Sequence, residues 1–89
     1  KRYREAFDII EHAIVLTPND PSLHYGKGRV LEQMQDYQDA LRAYEQALRL
    51  DPRYALAWRK KGDVLRQMNR REESLAAFKR ATQLDTGEM

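Results

Sequence analysis

Eighty-nine residues, with sixteen Lys and Arg against fourteen Asp and Glu, carry a formal charge of +2 in a chain that is 42% hydrophobic and 34% charged. That length holds one small unit rather than a multidomain enzyme, and the absence of cysteine excludes disulfide frameworks and thiolate zinc sites. The apolar run Ala13–Leu16 is far short of the about 20 residues that span a bilayer, so no membrane partner is expected and the expected setting is cytoplasmic.

The hydrophobic spacing is helical almost throughout and predicts an all-α chain of five helices. The first runs from about Arg2 to Leu16, with Tyr3, Ala6, Phe7, Ile10, Ala13 and Ile14 on one stripe. The segment Thr17-Pro18-Asn19-Asp20-Pro21 stops it, because proline disfavours helix in the residue before it and has no N–H to donate. A second helix is expected from about Ser22 to Met34, with Pro21 suited to its first turn. The third spans about Tyr37 to Leu50, capped by the Asp36 carboxylate and closed by Asp51-Pro52. The fourth runs from about Ala55 to Met68. Asn69, with Glu72 three residues on, reads as a capping box opening the fifth, about Arg71 to Leu84. Such short turns predict antiparallel packing of consecutive helices. A chain that opens on Lys1 and is already patterned by Tyr3 is expected to be a piece of something longer.

A period of 34 runs through the chain. Sliding residues 21–54 onto 55–88 superposes Lys27 on Lys61, Gly28 on Gly62, Val30-Leu31 on Val64-Leu65, Gln33-Met34 on Gln67-Met68, Leu41 on Leu75, Ala43 on Ala77, Ala47 on Ala81 and Leu50-Asp51 on Leu84-Asp85. Residues 1–20 fit the second half of the same unit, with Tyr3, Ala6, Phe7, Ala13 and Pro18 falling on Tyr37, Ala40, Leu41, Ala47 and Pro52. The expected organisation is a partial unit over 1–20, a full unit over 21–54 and a second full unit over 55–89.

These units resemble the tetratricopeptide repeat family. One shows His24, Gly28, Leu31, Tyr37, Ala40, Tyr44, Ala47 and Pro52, the other Trp58, Gly62, Leu65, Ser74, Phe78 and Ala81. His24 in place of an aromatic, Arg71 where the earlier unit has Tyr37, and Thr86 in place of the closing proline depart from the family pattern. The resemblance implies helix-turn-helix pairs stacked as a right-handed superhelical α-solenoid. It also implies a non-catalytic scaffold whose concave groove, lined by the first helix of each unit, receives an extended protein segment. The lining it implies is Ser22, Tyr25, Gly26, Arg29, Glu32 and Gln33 from one unit, with Leu56, Arg59, Lys60, Asp63, Arg66 and Gln67 from the next.

The side-chain inventory argues against catalysis and calls for no cofactor or metal. His12 lies on the polar side of its helix, and His24 stands at a packing position. Asp36/Asp39 and Glu72/Glu73 sit at helix starts, where carboxylates favour the dipole. Gly26-Lys27-Gly28 lacks the Walker spacing and falls inside a helix. Met34 and Met68 read as core filling, and Lys27 and Lys61 as stems covering apolar surface beside the two glycines.

Charge is unevenly placed: segments 1–52, 53–71 and 72–89 sum to −2, +6 and −2. Arg59, Asp63, Arg66 and Arg70 share one helical face, flanked by Lys60 and Gln67. An acidic segment or C-terminal carboxylate gripped by Arg59 and Lys60, with Arg29 alongside, is the sharper expectation. A solvated face on which Asp63 pairs with Arg59 and Arg66 is the plainer one. Tyr25 and Arg29 occupy positions where the chaperone-binding branch of the family carries the Lys and Asn of its carboxylate clamp, so that specificity is not assigned. Nucleic acid is disfavoured, because no aromatic residues are interleaved with the basic strip for base stacking. Two and a half units leave both stacking faces uncapped, so homodimers or end-to-end packing are also expected.

Overall fold

The computed structural model describes residues 2–87, so Lys1, Glu88 and Met89, including the end of the last expected unit, lie outside the described residues. Five helices follow one another: α1 Tyr3–Leu16, α2 Pro21–Gln33, α3 Tyr37–Leu50, α4 Ala55–Gln67 and α5 Arg71–Thr86. No strand occurs among the described residues. Each helix packs on the next in sequence, and α2 also touches α4. The result is slab-like, 37 × 27 × 17 Å along its principal axes. No helix is long and apolar enough to cross a membrane among the described residues.

The core lies between the hairpins. Leu31 of α2, Ala40, Leu41, Ala43 and Tyr44 of α3, Val64 and Leu65 of α4 and Ala77 of α5 form one buried cluster, with Tyr44, Leu65 and Val64 at or near zero exposure. Ala47, Leu48 and Ala57 form a second, against which Tyr25, Tyr54 and Trp58 pack. Both clusters depend on small residues that let helices approach. A Cβ on Gly28 would stand 2.5 Å from the Tyr44 ring, and one on Gly62 would stand 2.7 Å from Phe78. Ser74 takes the place of Ala40 one unit on and stays buried because its Oγ donates to the Gly62 carbonyl at 2.8 Å.

Helix starts agree with the sequence in two cases and depart from it in one. Asp20 caps α2 by accepting from the Ser22 N–H at 3.0 Å, with Pro21 in the first turn, and Asp36 accepts from the Asp39 N–H at 3.4 Å. The expected capping box of Asn69 and Glu72 does not form. Arg70 holds the cap position without a side-chain cap bond, and Asn69 sits one residue earlier in the left-handed region at φ 62°. Gln35, its counterpart in the preceding unit, has the same φ of 62°. Both turns therefore place a left-handed residue just before the cap position, and in the second the sequence suggested Asn69 as the cap itself. Arg70 instead forks onto Glu73, donating from Nε and an η nitrogen at 2.8 and 2.9 Å. Those hydrogen bonds hold the Glu73 carboxyl below its ordinary value.

Candidate functional site

Where α2 and α4 touch, sequence-predicted lining residues from both units converge. Arg29, Glu32 and Gln33 of α2 meet Lys60 and Gln67 of α4 around a cavity of about 190 Å³, closed at one side by Tyr37 from the start of α3. Helical spacing explains the convergence: 29, 32 and 33 lie on one turn of α2, and 60 and 67 lie two turns apart on one side of α4. Tyr37 is a lining residue that the sequence did not suggest. Its phenol opens α3 one tight turn after Gln33, and that proximity was the available signal.

The remaining lining residues have other duties. Ser22 is exposed and donates from Oγ to the Asp20 carboxylate at 2.7 Å, as part of the α2 cap. Tyr25 turns inward and stacks at 5.9 Å on Tyr44 and 5.3 Å on Tyr54, so it supports the α2 face from beneath. Leu56 is 48% exposed near the start of α4. Gly26 approaches Ile10 of α1. Arg59 is not held by Asp63 as the plainer expectation had it; it reaches across to Asp85 of α5 at 3.3 Å. Asp63 lies instead between Lys60 at 4.0 Å and Arg66 at 3.6 Å. Arg66 also lies over the Phe78 ring at 5.7 Å. Arg70 leaves the strip for Glu73.

The basic fourth helix is therefore partly neutralised by carboxylates from its neighbours. Arg29 forms no ion pair among the described residues, and the nearest partner of Lys60 is the loosely held Asp63. The cavity thus presents one cation without an ion pair, Arg29, and one, Lys60, that shares Asp63 with Arg66, together with two carboxamides, a phenol and one carboxylate. One oxygen of that carboxylate is engaged: Glu32 Oε1 accepts from the buried Tyr44 hydroxyl at 2.7 Å. Burial first, and the bond to Glu32 second, push the Tyr44 phenol far above its ordinary value, with Arg29 nearby opposing the shift. The next unit fills the same two positions with Arg66 and Phe78, exchanging a hydrogen bond for a cation–π contact.

Two further pairings recur from one unit to the next. Lys27 reaches Glu11 at 2.6 Å and Lys61 reaches Glu45 at 3.4 Å, each bridging a helix to the one before it. Their ammonium groups also lie over Phe7 and Trp58. His24 Nε2 donates to the Pro18 carbonyl at 2.8 Å, as Trp58 Nε1 does to Pro52 at 2.9 Å. An imidazole thus replaces the indole while keeping its N–H, which a reading by bulk alone missed. Of the methionines, Met68 packs on the core, whereas Met34 stays 37% exposed.

Comparison with family models matches residues 25–88 to the tetratricopeptide repeat. Comparison with curated proteins gives no match. Among solved structures, "Crystal structure of MamA" superposes with a TM-score of 0.93 at 24% identity, covering 98% of this chain and 51% of that one. "MamA AMB-1 P212121" gives 0.91 at 26% identity, covering 99% of this chain and 48% of that one. The second repeat domain of Spaghetti (RPAP3), solved with the HSP90 peptide SRMEEVD, gives 0.90 at 20% identity, covering 93% of this chain and 77% of that one. The chain spans about half the length of the MamA structures it matches. With its helix pairs stacked unit on unit and the family model matching most of its length, the chain belongs to the tetratricopeptide repeat family.

Proposed function

We propose that the chain is a non-catalytic scaffold that binds an extended, acidic protein segment along the α2/α4 face. Arg29 and Lys60 are the anchors, with Gln33, Gln67 and Tyr37 supplying neutral hydrogen bonds. The observation that carries this reading is their convergence on one cavity, where Arg29 has no ion pair among the described residues and Lys60 only a 4.0 Å contact with Asp63, while Arg59 and Arg70 are engaged by Asp85 and Glu73. Carboxylates favour such a site because guanidinium and ammonium donors make charge-assisted bonds about twice as strong as neutral ones. Glu32 accepts from Tyr44 through Oε1. The shared fold supports the mode of binding, since the RPAP3 domain holds an acidic peptide.

The test is capture from a peptide library by the wild type beside Arg29→Glu/Lys60→Glu. Enrichment of acidic peptides by the wild type alone supports the reading, and equal capture by both proteins refutes the assignment. A generic RNA or DNA oligomer that binds with a steep negative salt slope, while acidic peptides do not bind, would place the chain among nucleic-acid binders instead.

A further inference from the structure

The two helices of the groove carry opposite charge order at the same two positions. One turn apart on α2 stand Arg29 and Glu32, and their counterparts 34 residues on, in α4, are Asp63 and Arg66. On α4 the two signs satisfy each other, since Arg66 reaches Asp63 at 3.6 Å and Lys60 approaches it at 4.0 Å. On α2 they do not. Arg29 forms no ion pair among the described residues, although a carboxylate stands three residues on in the same helix. Glu32 is turned to the core instead. Its Oε1 accepts from the Tyr44 hydroxyl, on a fully buried ring, and no hydrogen bond or ion pair among the described residues engages its Oε2. Arg29 and Glu32 both line the cavity of about 190 Å³, which thus holds an unpaired cation and a half-free carboxylate among neutral groups.

A segment bearing carboxylates alone would satisfy Arg29 and Lys60 but set its next charge against Glu32, and like charges brought together at an interface are costly. Given the α2/α4 face as the site of an extended segment, a reading on which this inference rests, we propose that the segment it selects carries both signs. A carboxylate meets Arg29 and Lys60, and a lysine or arginine two residues away meets Glu32 Oε2. The spacing follows from geometry. Side chains three apart on a helix stand about 5–6 Å apart at Cβ, and residues n and n+2 of an extended chain project to one side about 6.5 Å apart. Adjacent residues of such a chain point to opposite sides and cannot serve both groups. The bond to Tyr44 holds the Glu32 carboxylate in place before the segment arrives, which lowers the ordering cost of binding.

Four short blocked peptides on a Ser/Ala background, titrated into the isotope-labelled protein and followed by NMR, test this. One carries Glu with Lys two residues on, one Glu with Lys at the adjacent position, one Glu with a second Glu two residues on, and one Lys alone. The first is expected to bind at least about threefold more tightly than the second and third and to shift the Arg29, Glu32 and Lys60 resonances. In Glu32→Gln, whose amide oxygen can still accept from Tyr44, its advantage over the two-Glu peptide is expected to vanish with the circular dichroism melt retained. Three results would overturn the mixed-charge proposal and leave the acidic-segment reading standing: equal or tighter binding of the two-Glu peptide by the wild type, equal binding of the adjacent-position peptide, or an advantage that survives Glu32→Gln. Failure of every Glu-bearing peptide to bind, or binding of the Lys-only peptide as tightly as the rest, would overturn both.

Discussion

Gly26 and Gly28 sit two residues apart on α2 and face different neighbours. A Cβ at 28 would meet the rim of a fully buried Tyr44 ring, which has no room to yield, whereas one at 26 would meet only the Cδ1 tip of Ile10 at 3.0 Å. Gly28→Ala is expected to destabilise the fold by about 2 kcal/mol. Gly26→Ala is expected to be neutral or to stabilise by up to about 1 kcal/mol through helix propensity. Urea denaturation of the two variants distinguishes them, and equal losses would contradict the packing described. Tyr44 itself links core to cavity. Tyr44→Phe, the residue the next unit uses, is expected to cost about 1–2 kcal/mol by removing the bond to Glu32. It is also expected to change the alkaline limb. In the unfolded chain this phenol ionises near 10.0, but in the folded one it stays protonated well above that. Its stabilisation is thus complete below pH 10 and declines as pH rises beyond it, by about 1.4 kcal/mol per pH unit. Denaturation between pH 8 and 11 is expected to show a shallower decline in Tyr44→Phe. Some decline persists because burial raises the Tyr54 phenol as well.

The five helices were legible as elements because their apolar residues recur at three and four and because prolines punctuate two of the turns. The turns without proline were harder. At 35–36 and 69–70 the chain uses a left-handed residue followed by a cap position, and Asn69 could be read as either. The period of 34 held the answer, since it places Asn69 on Gln35 and Arg70 on the capping Asp36. Non-glycine residues at this φ carry a cost that asparagine tolerates best. Gln35→Gly is therefore expected to raise stability by about 0.5–1 kcal/mol, and Asn69→Gly by less. Thermal melts of both would check the order. The reverse order would mean that the two turns are held by contacts other than their backbone conformation.

At the scale of the whole molecule, charge was the least legible feature. The +6 segment was visible in the sequence, but Asp85 and Glu45, which engage Arg59 and Lys61, come from other helices and meet them only through packing, whereas Arg70 pairs locally with Glu73 three residues on. Arg59, the first choice of anchor from sequence, is occupied, while Arg29 and Lys60 come together from different units. The clustering of groove residues followed from helical spacing, but the availability of each cation depended on tertiary contacts. The molecule is a short stack of helix pairs, and the proposed binding face lies where α2 meets α4. Binding at that face is expected to weaken with salt, because its cations are only partly desolvated.

Isothermal titration of a short acidic peptide and its neutral Glu→Gln/Asp→Asn counterpart, into the wild type and Arg29→Glu/Lys60→Glu, tests that face directly. Selective binding of the acidic peptide to the wild type, lost by at least about tenfold in the double variant while the melting temperature is retained, is the predicted result. Indifference of the wild type to peptide charge, or undiminished binding in the double variant, would contradict it.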